Sequence, residues 1–175
     1  RLGDLEGALA MATSAVEVCV RQGDRRTEGW ARMYRSRISL RIGALEDAEA
    51  DARAAIEIGA AMPPVRANAS AALAAVLGRG GRWADAVEAA QAAATLLDAM
   101  GGTGEGEGYV RLTYASVLAS AGRKQEADDA MKLALERLIA RAGKFSDPSW
   151  RRSFLENVPE HAATLEADSG DDGGG

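Results

Sequence analysis

The sequence predicts an all-α fold of stacked antiparallel helix hairpins, and three observations support this prediction. Alanine, the residue with the highest helix propensity, occurs 38 times in 175 residues. Proline occurs four times and aromatic residues make up 5% of the chain, so the sequence lacks the β-branched and aromatic runs that mark strands. Glycine and alanine also recur together at a nearly fixed interval, which indicates an internal repeat.

The repeat is anchored on glycines 40, 38 and 41 residues apart, at Gly3, Gly43, Gly81 and Gly122. Alanine follows every anchor after five residues and again after twelve, at Ala8, Ala15, Ala48, Ala55, Ala86, Ala93, Ala127 and Ala134. Glycine tolerates the backbone conformation that ends one helix and turns into the next. Alanines seven residues apart share a helix face and let the paired helix pack closely. We therefore expect about three and a half hairpins, each burying the apolar face of its neighbour.

Each predicted element has a local signal. The chain begins with the second helix of an incomplete repeat, and Asp24 or Thr27 can cap the helix that follows. Pro63 and Pro64 mark the boundary between two repeats, because proline is accepted at a helix start but not in its interior. The expected helices cover 4–22, the stretch ending at Ile42, 45–61, 65–79, 83–100, 109–121 and 124–142.

These features resemble the tetratricopeptide repeat (TPR) family, in which a glycine closes the first helix of each hairpin and small residues follow five and twelve positions later. The resemblance covers residues 1–143, with repeats longer than the usual 34 residues. It implies an α-solenoid that acts as a non-catalytic protein-interaction module. Repeats of this length are similar to those of cytoplasmic bacterial signalling proteins, including Ser/Thr kinases and ATPases.

A different pattern closes the chain, and we expect residues 144–167 to form a cap of short helices. Asp147 can cap a helix that starts at Pro148, with Trp150 and Phe154 four residues apart on one face. A last helix is expected over 160–167, followed by a disordered acidic, glycine-rich tail over 168–175. Residues 147–161 resemble the closing motif of TPR arrays in large bacterial signalling proteins. This resemblance implies a parent protein with an upstream kinase or ATPase domain, and it transfers no catalytic residue.

The sequence offers little for catalysis or metal binding. His161 and Cys19 are the only residues of their types, so we expect no zinc site, no cofactor, no internal disulfide and no catalytic histidine in this chain. The glycine-rich stretch 101–108 lacks the Lys-Ser/Thr ending of a phosphate loop and follows a predicted helix, which favours a linker. No apolar run is long enough to cross a bilayer, so no membrane role is expected.

An interaction surface is the remaining hypothesis. The first helix of each hairpin should line a concave face, and helical spacing from the glycines predicts a partner-binding set of Trp30, Met33, Arg37, Arg41, Asn68, Arg79, Tyr109, Leu112 and Ser116. Arg37, Arg41 and Arg79 would make this face basic within a chain of net charge −5, and arginine binds carboxylates in bidentate fashion. We therefore expect a protein or peptide partner with an acidic or C-terminal segment.

Alternatives remain open. Trp30 and Met33 could belong to the core while the arginines pair with neighbouring acids. The chain could instead be the ligand- or signal-peptide-sensing domain of a bacterial regulator. The seven arginines between Arg21 and Gly43 raise nucleic-acid binding, but net acidity and few aromatic residues oppose it. The first helix could also pair with a second copy of the chain.

Overall fold

The computed structural model describes residues 4–102 and 105–169, and these ranges contain α-helices and one 3₁₀ turn but no strand. The helices are α1 (Leu5–Gln22), α2 (Arg25–Ile42), α3 (Leu45–Ile58), α4 (Pro63–Arg79), α5 (Trp83–Ala99), α6 (Glu107–Ser120), α7 (Lys124–Ala142), α8 (Pro148–Glu156) and α9 (Pro159–Ser169). The 3₁₀ turn, Gly59–Ala61, extends α3 to the residue where the sequence predicted its end. The predicted all-α solenoid of helix hairpins is confirmed.

The three repeat glycines inside the described ranges form the same turn. Gly43, Gly81 and Gly122 have φ values of 93°, 77° and 79°, in the left-handed region that favours glycine. In each turn the residue after the glycine donates its backbone N–H to the carbonyl five residues earlier, at 2.9 to 3.0 Å. Free carbonyls at the helix end are thereby satisfied while the chain reverses direction. Gly3 lies outside the described residues.

The repeated alanines form the close contacts between paired helices. Five and twelve residues after the three described glycines, all six alanines are buried, at 0 to 5% exposure. Their small side chains let backbones approach, so that the Ser36 hydroxyl on α2 reaches the Ala48 carbonyl on α3 at 2.7 Å. In the first repeat Ala8 is half-buried and Ala15 is exposed, because α1 packs chiefly against α2.

The helices lie in two layers. Helices α2, α4 and α6, the first helices of their hairpins, contact one another in sequence and form the inner layer. Helices α3, α5 and α7 pack against this layer from outside, without extensive contacts among themselves in the described part of the chain. The central helix α4 is buried along most of its length and joins the core around Met33, Leu77 and Leu118.

The closing segment packs on the last hairpin through aromatic side chains. Helix α8 begins at the predicted cap, where Asp147 accepts the Ser149 backbone N–H at 2.7 Å. Phe154 lies 5.1 Å from Phe145 and 4.3 Å from the His161 ring, so this histidine is a buried packing residue. Trp150 is 67% exposed and does not share the environment of Phe154. Helix α9 extends through Ser169, past the predicted start of the tail, and residues 170–175 of that tail lie outside the described residues.

Three further observations bear on chemistry and on membrane insertion. Cys19, on α1, is buried and forms no disulfide. Among the residues that the structure describes, no three His, Cys, Asp or Glu side chains are grouped to hold a metal ion. Within the same ranges no helix combines the length and apolarity needed to cross a membrane.

Candidate interaction face

The inner layer brings some of the predicted binding residues together. Arg37 on α2 and Tyr109 on α6 meet across α4, with the guanidinium carbon 3.8 Å from the ring centroid, a cation–π contact. Trp30 lies 6.2 Å from Tyr34 in a stacked arrangement, and it packs partly against the core. Arg37 and Tyr109, both predicted from helical spacing, therefore lie on the same side of the inner layer. We call this side the inner face.

Two of the predicted binding residues lie in the interior. Met33 has 0% exposure and packs in the core among alanines of α3 and α4. Asn68 has 1% exposure and donates its side-chain N–H to the Pro64 carbonyl at 3.0 Å. Its side chain also contacts the backbone at Gly106. Their assignment to a binding surface is corrected, because neither side chain is accessible to a partner. The alternative stated above, that Met33 belongs to the core, is confirmed.

Arg37 already binds a carboxylate. Its guanidinium donates to the Glu160 carboxylate at the start of α9, 123 residues away in sequence, while it lies on the Tyr109 ring. The arginine side chain keeps 30% exposure and the glutamate 17%. No sequence signal places Glu160 here, because α9 reaches the inner face through its packing on α6 and α7. An arginine held on an aromatic ring and engaged with a carboxylate forms a small acid-binding site.

Glu105, which precedes α6, makes a second contact between an acidic side chain and the inner face. The Tyr34 hydroxyl donates to the Glu105 carboxylate at 3.0 Å. Burial raises the pKa of Tyr34, and the hydrogen bond to Glu105 raises it further. Burial also raises the pKa of Tyr109, and the nearby positive charge of Arg37 offsets only part of this effect. Helix α6 starts at Glu107, so the predicted linker over 101–108 is shorter than expected, and Glu107 is buried.

The remaining predicted residues lie at the surface. Arg41 and Arg79 are exposed in the last turns of α2 and α4, two residues before their repeat glycines. Neither has an ion pair in the part of the chain that the structure describes. Ser116 is exposed and Leu112 is half-buried on α6. Two cations at equivalent positions of neighbouring helices therefore remain available to a partner.

Most of the basic stretch around α2 is neutralised. Of the seven arginines between Arg21 and Gly43, four form ion pairs, at Arg25, Arg32, Arg35 and Arg37. The ion pair of Arg35 with the buried Asp51 is bidentate, since two guanidinium nitrogens each lie 2.6 Å from a carboxylate oxygen. The alternative in which the arginines of the predicted binding face pair with neighbouring acids concerned Arg37, Arg41 and Arg79. Arg37 pairs with a distant acid instead, and Arg41 and Arg79 have no ion pair with the described residues.

The fold is similar to solved structures of TPR-like repeats. Two crystal structures of a Podosopora anserina protein described as a kinesin light chain with nearly identical TPR-like repeats, the second a glutamine-to-methionine variant, each superpose with a TM-score of 0.60. The alignment covers 95% of this chain and 80% of the other, at 17% sequence identity. No protein family and no curated protein matches the sequence. A likeness at this identity concerns the fold, and it places this chain among the TPR-like α-solenoids.

Proposed function

We propose that this chain is a non-catalytic interaction module whose inner face binds an acidic segment of a protein or peptide. The observation that carries the proposal is the contact of Arg37 with Glu160 on the Tyr109 ring. The chain itself supplies an example of a carboxylate bound on this face. The exposed guanidinium groups of Arg41 on α2 and Arg79 on α4 could bind a partner carboxylate in the same way.

The charge balance supports an acidic partner. The chain carries −5 overall, so an acidic segment is repelled by much of the surface. Arg37, Arg41 and Arg79 would attract it locally, and charge complementarity of this kind mainly sets specificity and association rate. We therefore expect an interaction of modest affinity that weakens as salt concentration rises.

Fluorescence anisotropy tests the proposal directly. The probe is a fluorescein-labelled ten-residue peptide of alternating Glu and Ala with a free C-terminal carboxylate, compared with the same peptide carrying Lys in place of Glu. We expect saturable binding of the Glu peptide and no saturable binding of the Lys peptide. Reversing two charges in the R41E/R79E variant should weaken binding at least tenfold, since each charge-assisted hydrogen bond contributes about 1.5–3 kcal/mol.

A matched control separates a local effect from a change in net charge. Arg21 and Arg66 are exposed, and Arg66 lies thirteen residues before Arg79, about 140° away around the axis of α4. The R21E/R66E variant changes net charge equally and should retain wild-type affinity. If both double variants lose affinity to the same extent, or if the wild type binds the Lys peptide equally well, the inner face is not the binding site.

Glu160 supplies an independent test. Glu160→Gln removes the carboxylate that occupies Arg37, so the acidic peptide should bind several-fold more tightly. In an R37Q background the same substitution should give no gain, because the freed cation is missing. A gain that persists without Arg37 would contradict the role of this contact.

The parent protein is a separate proposal. From the resemblance of residues 147–161 we infer that the module belongs to a large cytoplasmic bacterial signalling protein with a kinase or ATPase domain upstream. The full reading frame of the gene tests this inference, and an upstream sequence without any such domain would overturn it.

A further inference from the structure

The geometry points to a second binding site, for a short zwitterionic peptide, in the groove between α3 and α5 on the outer side of α4. The groove has a volume of about 540 Å³, within the range of ligand sites in proteins. All of its lining residues belong to these three helices, and they include Ile56, Arg66, Ser70, Glu88, Thr95 and Leu96. We call it the outer groove. It is distinct from the inner face and extends beyond the proposed function.

A difference between the repeats explains why the outer groove is open. Eleven residues before the repeat glycine, the hairpins on either side carry Arg32 and Arg111, whereas the central hairpin carries Ser70. Arg32 lies in the wall of the corresponding groove between α1 and α3, whose volume is about 370 Å³. Because serine is much smaller than arginine, the groove over α4 keeps space that an arginine side chain occupies in the neighbouring repeat.

The same difference leaves a cation without a partner. In the neighbouring hairpins the arginine is neutralised by a buried glutamate four residues earlier, at 2.8 and 2.9 Å in the pairs Glu28–Arg32 and Glu107–Arg111. At the position of this glutamate the central hairpin has Arg66, which is exposed and forms no ion pair with the described residues. The guanidinium of Arg66 is therefore available to a carboxylate from outside the chain.

Glu88 supplies the opposite charge on the α5 wall of the outer groove. It is exposed and, like Arg66, has no ion pair in the part of the chain that the structure describes. Arg66 lies fifteen residues before Gly81 and Glu88 seven residues after it, so on two antiparallel helices their positions are offset by about 12 Å along the axes. A single molecule with a carboxylate for Arg66 and an ammonium group for Glu88 would satisfy both charges.

The spacing and the lining of the outer groove fit a dipeptide. The two charged ends of an extended dipeptide lie roughly 6 Å apart, and a hydrogen bond of about 3 Å at each end spans the offset. Ser70 lies between the two charges along α4, is only 8% exposed, and its hydroxyl forms no hydrogen bond with the described residues, so it can bind the peptide group. Ile56 and Leu96 are half-buried and supply apolar surface for a ligand side chain.

Isothermal titration calorimetry of the full chain tests this site with the dipeptide alanyl-leucine, its N-acetylated form and its C-terminal amide. We expect saturable 1:1 binding of the free dipeptide and at least tenfold weaker binding of each blocked form, because each lacks one of the two charges. Free leucine, whose two charges lie closer together, should also bind more weakly. The proposal is wrong if the free dipeptide does not bind, or if a blocked form or free leucine binds as tightly.

Single variants assign each end of the dipeptide to its partner. E88Q should weaken binding of the free dipeptide at least tenfold and leave the affinity of the N-acetylated form unchanged, since that form has no ammonium group. R66Q should likewise weaken binding of the free dipeptide and leave the affinity of the amide unchanged. Equal losses for the free and the blocked forms would overturn the assignment of the two ends.

A matched double variant locates the site. R66Q/E88Q removes one charge of each sign from the outer groove and should abolish binding, whereas K132Q/E136Q removes one exposed charge of each sign from α7 and should bind like the wild type. Circular dichroism and the urea midpoint verify that the variants are folded. The acidic peptide that probes the inner face is labelled at its amino end and is repelled by Glu88, so its binding does not depend on Arg66. Equal loss of dipeptide affinity in both double variants would place the site elsewhere.

Discussion

Replacing Met33 by alanine tests the assignment of this residue to the core rather than to a binding surface. Met33 is completely buried, and its neighbours in the core include Ala52, Ala55, Ala69 and Ala72. Alanines have no side-chain rotamers with which to fill the space that the lost thioether leaves. We therefore expect the loss of stability in the upper part of the range for buried Met→Ala changes, about 4 kcal/mol. In a chain of this length that corresponds to a melting temperature about 10 °C lower.

Urea unfolding followed by circular dichroism and by tryptophan fluorescence measures this change. Coincident curves and an unchanged m-value show that one transition is being compared, which matters because repeat proteins can unfold in parts. Met33→Leu keeps the volume and should cost less than about 1.5 kcal/mol. A loss below about 1 kcal/mol for Met33→Ala would mean that the side chain is accessible, and the core assignment would be refuted.

Three further predictions concern an ion pair, a helix contact and a titrating tyrosine. Asp51→Asn leaves the Arg35 guanidinium without its bidentate partner and should lower the free energy of unfolding by about 2–3 kcal/mol in urea titrations, less than for a fully buried pair because the arginine is partly exposed. Gly108→Ala would place a methyl group 2.7 Å from the His161 ring, so hydrogen exchange of the α9 amides should accelerate, and adding His161→Ala should reverse the effect. The pKa of Tyr109 is raised above 10.0 in the folded state, so the unfolded chain loses this proton first, and stability should fall as pH rises above about 10. Thermal unfolding between pH 9 and 11 should show a smaller fall for Tyr109→Phe, and equal falls would contradict the assignment.

The tertiary structure decided the long-range ion pairs. Glu28 lies three and four residues from Arg25 and Arg32, so helical spacing alone indicates these two pairs, but the sequence could not say which acids Arg35 and Arg37 would contact. Asp51 became the partner of Arg35 because the close α2–α3 packing placed it opposite. Glu160 became the partner of Arg37 because α9 folds back onto α6. An acid in the closing segment was visible in the sequence, but no local signal connected it to a helix 123 residues earlier.

The sequence by itself determined the helices, their turns and the small residues at their contacts. These features follow from local physics, since helix propensity, glycine at positive φ and alanine at intervals of seven act within one or two turns of chain. The tertiary structure alone decided which side chains are accessible. Met33 and Asn68 point into the core, whereas Arg37 lies on the inner face. The inner helices pack so closely that a small rotation about the helix axis moves a side chain from the inner face to the core.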